Sequence, residues 1–341
     1  MRRTTINLLI KAFIGNFERY PKNMHQVLAE LISVKFIILY ILIISTVIVH
    51  YRGKVRYKFF RQLTDHSTFM APINVPMYAL SGVENKPYIK TSNFPQLDTL
   101  RNNWQVIRDE ALQLEQEELI KGSDKYNDAG FNSFFRRGWK RFYLKWYNDF
   151  HPSAKKYCPQ TCELIKGIPQ VKAAMFAVLP AGSELLQHRD PYAGSLRYHL
   201  GLITPNSEKC HIIVDGQSYA WKDGEDVIFD ETYIHWAENK TDIDRIILFC
   251  DIQRPVKTIF GRAWNKFFGW FIMASGASPN MGGDKTGNIN KAFKYVYSIR
   301  RLGKAIKAYN RRLYYAIKYL LVLVILYFAF FRWIINLIFK H

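Results

Sequence analysis

The stretch "HRDPYAGSLRYHLGL", residues 188–202, gathers two histidines, an aspartate and two arginines where the chain otherwise reads as a turn entering a β-strand. His188 and Asp190 are separated by one residue, so on extended backbone both side chains leave from the same face. One strand can thus offer two ligands to one metal, and "DETYIHWAENK" supplies a third in His235. Two neutral imidazoles and one carboxylate, with the other coordination positions open, form the facial triad that suits Fe(II) in oxygenases. A His-x-Asp pair alone is weak evidence, because such triplets arise by chance and a strand histidine is more often a core or surface residue.

Arg245, which opens "RIILFCDI", adds weight to the metal reading. An iron oxygenase that consumes 2-oxoglutarate needs a cation for the distal carboxylate of that cosubstrate, and a guanidinium holds it with two parallel bonds. Arg197 and His199 lie two apart on "LRYHL", face the same way, and could address the cosubstrate from a neighbouring strand. His66, His151 and His211 have no partner in the pattern and are read as structural.

These residues need strands to position them. From Val171 to Ile252 the apolar period is two, in short runs: "VKAAMFAVL", "SLRYHLGLI", "HIIVD", "SYAW", "EDVIFD" and "DRIILFCDI". Asp215-Gly216 and Asp223-Gly224 between runs are hairpin signals. The expectation is a mainly β catalytic domain, an antiparallel sandwich or jelly roll, with flanking α-helices. Upstream, "LDTLRNNWQVIRDEALQLEQEELIKG" places Leu100, Trp104, Ile107, Leu112 and Leu114 at helical spacing, which predicts one packing helix.

The 341 residues are 49% hydrophobic, which excludes a mainly disordered chain. Lys and Arg number 48 against 28 acidic residues, a net +20, so a polyanionic partner is expected: a membrane surface, a phosphorylated ligand or a nucleic acid. Aromatics make up 16% and cluster near two apolar ends, which favours the anionic membrane surface and no nucleic acid. Cys158, Cys162, Cys210 and Cys250 form neither a zinc pattern nor a disulfide framework and read as thiols.

Residues 31–51 contain "FIILYILIISTVIVHY", long enough to cross a bilayer. Arg2, Arg3, Lys11, Arg19 and Lys22 precede it, unlike a simple signal peptide, and no small-residue cleavage site follows, so an uncleaved anchor is expected. Arg52, Lys54, Arg56, Lys58 and Arg61 come next, and "RRLGKAIKAYNRRLYYAIK" precedes a second apolar segment, interrupted by Lys318, Arg332 and Asn336. The positive-inside rule then puts the main body in the cytoplasm. The expected division is a basic segment 1–30, a transmembrane helix 31–51, a basic juxtamembrane and adaptor region 52–135, and a catalytic domain 136–256. After it come an interfacial aromatic segment, linker and basic helix (257–312) and a second transmembrane helix (313–339). "IFGRAWNKFFGWFIMASGA" reads as a membrane-surface helix and "ASPNMGGDKTGNIN" as a flexible linker.

Residues 138–255 resemble the aspartyl/asparaginyl β-hydroxylase family of 2-oxoglutarate-dependent iron oxygenases. The resemblance rests on "GWKRFYLKW", "CPQTCELI", "HRDPYAGSLRYHLGL" and "DGQSYAWKDGEDVIFDETYIHWAENKTDIDRIILFCDIQRP". It implies a double-stranded β-helix, cupin-like, with His188 and His235 as iron ligands. It further implies 2-oxoglutarate on Arg245, a cosubstrate wall of Arg197, Tyr198, His199 and Trp139, and O2 at the metal. Asp190 completes a triad that some animal members lack, and Ala177 stands where members carry a cosubstrate-binding serine. "RGKVRYKFFRQLTDHSTFMAPINVPMY" after a membrane helix is similar to the bacterial lipid A 2-hydroxylase branch. That implies an inner-membrane enzyme hydroxylating C2 of a secondary acyl chain of lipid A. Alternatives are a hydroxylase of another lipid such as an ornithine lipid, a hydroxylase of peptidyl Asp or Asn, and a non-catalytic membrane-tethered cupin-like module.

Overall fold

The computed structural model describes residues 22–122, 128–147 and 149–332. Arg2, Arg3, Lys11, Arg19, Asn336 and the end of the second apolar segment lie outside the described residues. Ser45–Arg300 forms one compact unit, and Met1–Ile44 with Arg301–His341 forms another.

The larger unit is built on β1 (Tyr88–Ile89), β2 (Lys140–Trp146), β3 (Asp149–Phe150), β4 (Val171–Leu179), β5 (Glu184–His188), β6 (Ser195–Ile203), β7 (Cys210–Val214), β8 (Gln217–Ala220), β9 (Asp226–Phe229), β10 (His235–Asn239) and β11 (Arg245–Gln253). They form a seven-stranded sheet, β1-β9-β6-β11-β4-β2-β3, and a four-stranded sheet, β5-β10-β7-β8. From β4 to β11 the chain winds between the two sheets, which is the double-stranded β-helix.

Every run quoted for its period of two contains a strand. β5 was not among them: "ELLQH" is an edge strand with Leu186 55% exposed, so no apolar alternation marks it. The large sheet is covered on both faces. One face packs on the Trp104–Gln116 and Pro159–Lys166 helices through Leu196, Tyr198, Leu200, Ile107 and Ile165, and the other faces the small sheet through Trp139, Met175, Ala177, Trp221 and Ile247.

Two local expectations need correction. Asp215-Gly216, with φ of 51° and 83°, is the tight turn joining β7 to β8. Asp223-Gly224 is no hairpin, because β8 belongs to the small sheet and β9 to the large one, so the turn carries the chain across. The acidic helix is two helices, Asp98–Asn102 and Trp104–Gln116, broken at Asn103; Leu100, Ile107, Ala111 and Leu114 are buried as a packing helix requires.

"ASPNMGGDKTGNIN" is a packed cover on β2 rather than a flexible linker. The Asn280 side chain accepts from the Tyr143 N–H at 2.7 Å and donates to the Tyr143 carbonyl at 2.8 Å, Arg141 donates to the Pro279 carbonyl at 3.1 Å, and Ser278 is fully buried. Its glycines and proline signal irregular backbone. They do not reveal that side chains pin that backbone down.

The helices Val34–Tyr51 and Arg311–Phe331 have mean hydropathies of 2.2 and 2.0, so both are long and apolar enough to cross a membrane by length and composition. Phe36 and Phe330 meet edge to face, 5.9 Å between ring centroids. Within the larger unit, Arg52, first of the basic run after the apolar helix, is buried rather than solvated. Its guanidinium lies 3.8 Å from the Tyr78 ring and 4.0 Å from the Tyr233 ring, and bonds Thr232 and the fully buried Asp230. Asp230 also receives Arg254 at 2.7 Å. Burial pushes the Asp230 carboxyl up, but Arg254 and Arg52 outweigh it and hold the group below the ordinary range.

Arg52→Ala removes one of the two guanidinium partners of Asp230 and the group stacked between Tyr78 and Tyr233, and is expected to cost about 3 kcal/mol, read as a lower thermal midpoint in detergent. Arg52→Lys recovers little of it, since an ammonium neither stacks between two rings nor forks. Because the folded-state carboxyl titrates below its unfolded value of about 3.9, the tie is at full strength above that pH and weakens on acidification below it. Wild-type protein therefore loses stability with acid more steeply than the alanine variant.

Candidate active site

His188 ends β5 and His235 begins β10, and the antiparallel register pairs them directly. Their rings lie 4.2 Å apart between centroids. Asp190 follows on the loop, where its backbone N–H donates to the Glu231 carbonyl at 2.9 Å. One ligand atom from each of His188, Asp190 and His235 lies within 4.8 Å of the others. The two imidazoles are oriented by their Nδ1 atoms, which meet the carbonyls of Leu186 at 2.6 Å and Tyr233 at 3.0 Å and leave Nε2 for the site. Burial lowers both histidine pKa values, His235 to about 3, so both rings are neutral and able to ligate. The N2O donor set fits Fe(II) in number and type.

Asp190 is held by Arg197, whose Nη2 donates to it at 2.8 Å. Arg197 also meets Asp251 at 2.9 Å and Glu231 at 3.0 Å and lies 3.8 Å from the Phe249 ring. Burial raises the Asp190 pKa, yet Arg197, His235 and His188 outweigh it and keep the carboxyl below its usual range. Arg197 shares the cavity of the three ligands, but it is saturated by carboxylates and acts on Asp190 rather than being free for a cosubstrate.

Arg245 is the opposite case. It is 2% exposed, lies 4.4 Å from the Trp221 ring, and among the described residues has neither an ion pair nor a hydrogen bond. Burial, opposed only by Cys210, pulls its pKa down to about 10. Nearby, Trp221 donates to His199 Nδ1 at 3.3 Å, which fixes the proton on Nε2, and that buried atom has no partner. Burial, then Arg197 and Arg245, drive the His199 pKa well down, so the ring is neutral. A buried cation and a buried N–H donor thus open on the cavity that holds His188, Asp190 and His235. An unpaired buried charge is costly enough that such a pair of donors calls for an anionic ligand.

Of the other expected residues, Trp139 lines this cavity, stacked 4.8 Å from Phe131. Tyr198 does not. Strand alternation turns it to the opposite face of β6, where it packs with Leu196, Leu200 and Cys250, so reading 197–199 as one continuous wall was incorrect. Ala177 lies fully buried in the core between the sheets. Sequence reasoning missed Trp221, Phe249, Glu231 and Asp251. Asp251 and Phe249 share the parity of Arg245 along β11, a signal that was present; Glu231 sits in a loop, where no period applies.

Residues 101–255 match the family model described as aspartyl/asparaginyl beta-hydroxylase. The chain is 36% identical over 192 residues to the ornithine lipid ester-linked acyl 2-hydroxylase of Rhizobium tropici, covering 55% of this chain and 66% of that one. It is 25% identical over 214 residues to the Homo sapiens aspartyl/asparaginyl beta-hydroxylase, covering 60% of this chain and 28% of that one. Among solved structures, a Pseudomonas putida prolyl-4-hydroxylase aligns with a TM-score of 0.31 at 14% identity, covering 55% of this chain and 100% of that one. The fold assignment rests on strand order, not on that alignment.

His188→Ala, Asp190→Ala and His235→Ala are each expected to weaken Fe(II) binding by more than roughly a hundredfold, beyond the effect of losing an outer partner. Elemental analysis of purified protein reads this directly. Arg245→Met leaves the iron content unchanged.

Proposed function

Residues 101–255 belong to the aspartyl/asparaginyl β-hydroxylase family, and from this premise we propose that the protein is an Fe(II)- and 2-oxoglutarate-dependent hydroxylase acting at C2 of an acyl chain of a membrane lipid. The single observation that carries the cosubstrate is the pair of unpartnered buried donors, Arg245 and His199, in the cavity of His188, Asp190 and His235. A dicarboxylate that reaches the metal with one end and a buried guanidinium with the other suits that arrangement. Bound Fe(II) supplies the redox chemistry that couples oxidative decarboxylation of 2-oxoglutarate, with O2, to hydroxylation. The chain's own part is geometric. His188, Asp190 and His235 hold the metal, Arg197 steadies Asp190, Arg245 and His199 bind the cosubstrate, and Trp139 and Trp221 keep water from it.

A lipid substrate is supported by the described activity of the Rhizobium tropici relative and by two helices of bilayer length. It is further supported by the helix Ile259–Phe268 and its wider continuation Gly269–Met273, which leave Phe260, Phe267, Trp270 and Phe271 exposed while Gly261 and Asn265 face the body. The basic flanks of both apolar helices favour a bacterial inner-membrane location with the catalytic domain facing the cytoplasm. Lipid A is the first candidate, on the likeness of the juxtamembrane segment to that branch. Ornithine lipid is the second, on the 36% identical relative.

Lipids from cells with and without the protein, compared by mass spectrometry, are expected to differ by one added oxygen on an acyl chain of lipid A. The gain confined to ornithine lipid rejects lipid A, and a gain in no lipid rejects the lipid reading. In purified, iron-loaded protein supplied with lipid, succinate release separates an enzyme from a binding module. Arg245→Met is expected to weaken 2-oxoglutarate binding by roughly a hundredfold, the loss for truncating one partner of a buried charged contact; unchanged affinity overturns its assignment.

A further inference from the structure

A second chamber, about 280 Å³, adjoins the metal-site cavity and shares Phe131, Asp190 and Arg197 with it. Its outer wall is Ile272, Met273, Gly276 and Ile289, all beyond the segment that matches the family. That wall is fixed in place. Trp146 Nε1 donates to the Met273 carbonyl at 2.6 Å, and Asn290 donates to the carbonyls of Gly276 and Ala277 at 2.7 Å while accepting from the Ala129 N–H at 2.7 Å.

The one cation bordering the chamber, Arg197, is already matched, while Glu231 Oε2 is buried without a hydrogen-bond partner among the described residues. Asp128 is held by Arg141 and by the Tyr143 hydroxyl, each at 3.1 Å, and Arg197 is surrounded by Asp190, Glu231 and Asp251. What is left to contact an occupant is Ile272, Met273, Ile289, Phe131, Trp146 and Pro191. A peptide would bring N–H and C=O groups needing partners, and an aspartyl substrate would bring a carboxylate needing a free cation. Among the described residues the lining holds no free cation, and its one unpartnered buried side-chain atom, Glu231 Oε2, cannot serve a whole peptide backbone, whereas a methylene chain needs no partner. The wall also continues directly from Phe267, Trp270 and Phe271, whose rings are exposed.

We propose that this chamber receives the acyl chain of a membrane lipid and brings one methylene past Phe131 to the Asp190 edge of the metal site, with Ile272, Met273 and Ile289 setting which chains fit. The inference rests on the acyl-hydroxylase reading and adds to it the residues that select the chain. They come from a segment outside the family-matched domain.

The test uses the full chain, iron-free, in phosphatidylethanolamine nanodiscs carrying a trace of phospholipid with a photoactivatable diazirine in its acyl chain. Crosslinked peptides containing Ile272, Met273 or Ile289 are expected beside the bulk-lipid labelling of the Arg311–Phe331 helix. Met273→Trp and Ile289→Trp should reduce the chamber crosslinks about tenfold while leaving the helix labelling unchanged. If a tryptophan variant does not fold, Met273→Ala, which enlarges the chamber, should shift competition toward branched acyl chains by a similar factor. Labelling confined to the Arg311–Phe331 helix, or chamber labelling and competition that these variants leave unchanged, overturns the proposal. Crosslinking needs no metal or cosubstrate. A protein that labels here yet hydroxylates no lipid therefore defeats the functional reading alone, and one that hydroxylates lipid without labelling here defeats this inference alone.

Discussion

The site depends on how one buried guanidinium is neutralised. Arg197 on β6 sits within ion-pair distance of carboxylates from three places: Asp190 on the loop after β5, Glu231 on the loop after β9, and Asp251 on β11. Removing Arg197 leaves three buried carboxylates without their cation, a penalty of several kcal/mol. Three carboxylates around one cation also exceed its charge, and burial with mutual repulsion raises the pKa values of Glu231 and Asp251 despite Arg197. Asp190 alone is held below its usual range. The cluster therefore keeps its negative charge where a metal would need it.

Arg245 gains its meaning by contrast. Both arginines are buried on the large sheet and both border one cavity, yet one is saturated with carboxylates and the other has only the face of Trp221. A fold does not retain an unmatched buried cation for stability, because desolvation opposes it. The same reasoning assigns His199, whose Nδ1 is occupied by Trp221 and whose Nε2 is not. Neither assignment depends on the metal. They depend on counting partners, which strand spacing cannot do.

That difference marks how far the sequence was legible. The His-x-Asp pair, His235, Arg245 and the runs that became β4, β6, β7, β8, β9 and β11 were readable because each is local: a period of two, a turn, a spacing. Parity along β6 put Arg197 and His199 on one side and excluded Tyr198, but matching by resemblance carried all three across together. Charge places Arg52 in the basic run after the first apolar segment, and nothing near it in sequence shows that Tyr78, Asp230 and Tyr233 close around it. The segment after Ala277 was read from glycine and proline as mobile, since its anchors, Arg141 and Tyr143, lie far back on β2. Each miss is a contact between distant segments.

Those distant contacts also argue against treating the β-domain as a separable module. Arg189, between the two candidate ligands of the His-x-Asp segment, is 2% exposed and donates to the Val49 carbonyl at 3.1 Å, so the end of the first apolar helix is tied to the metal loop. Arg52, just past that helix, is tied to Asp230, and Asp230 is adjacent to Glu231 of the Arg197 cluster. On the far side, the Tyr192 hydroxyl donates to Asn265 at 2.7 Å and joins the same loop to the aromatic helix. The loop bearing Asp190 is therefore held from the end of the first apolar helix and from the exposed aromatic helix at once. Cut at the limits of the family match, the fold would keep β2 to β11 but lose β1 and both restraints on the loop bearing Asp190. The geometry of the three candidate ligands and the attachment of the flanking helices are then one structural problem, solved by the same few residues.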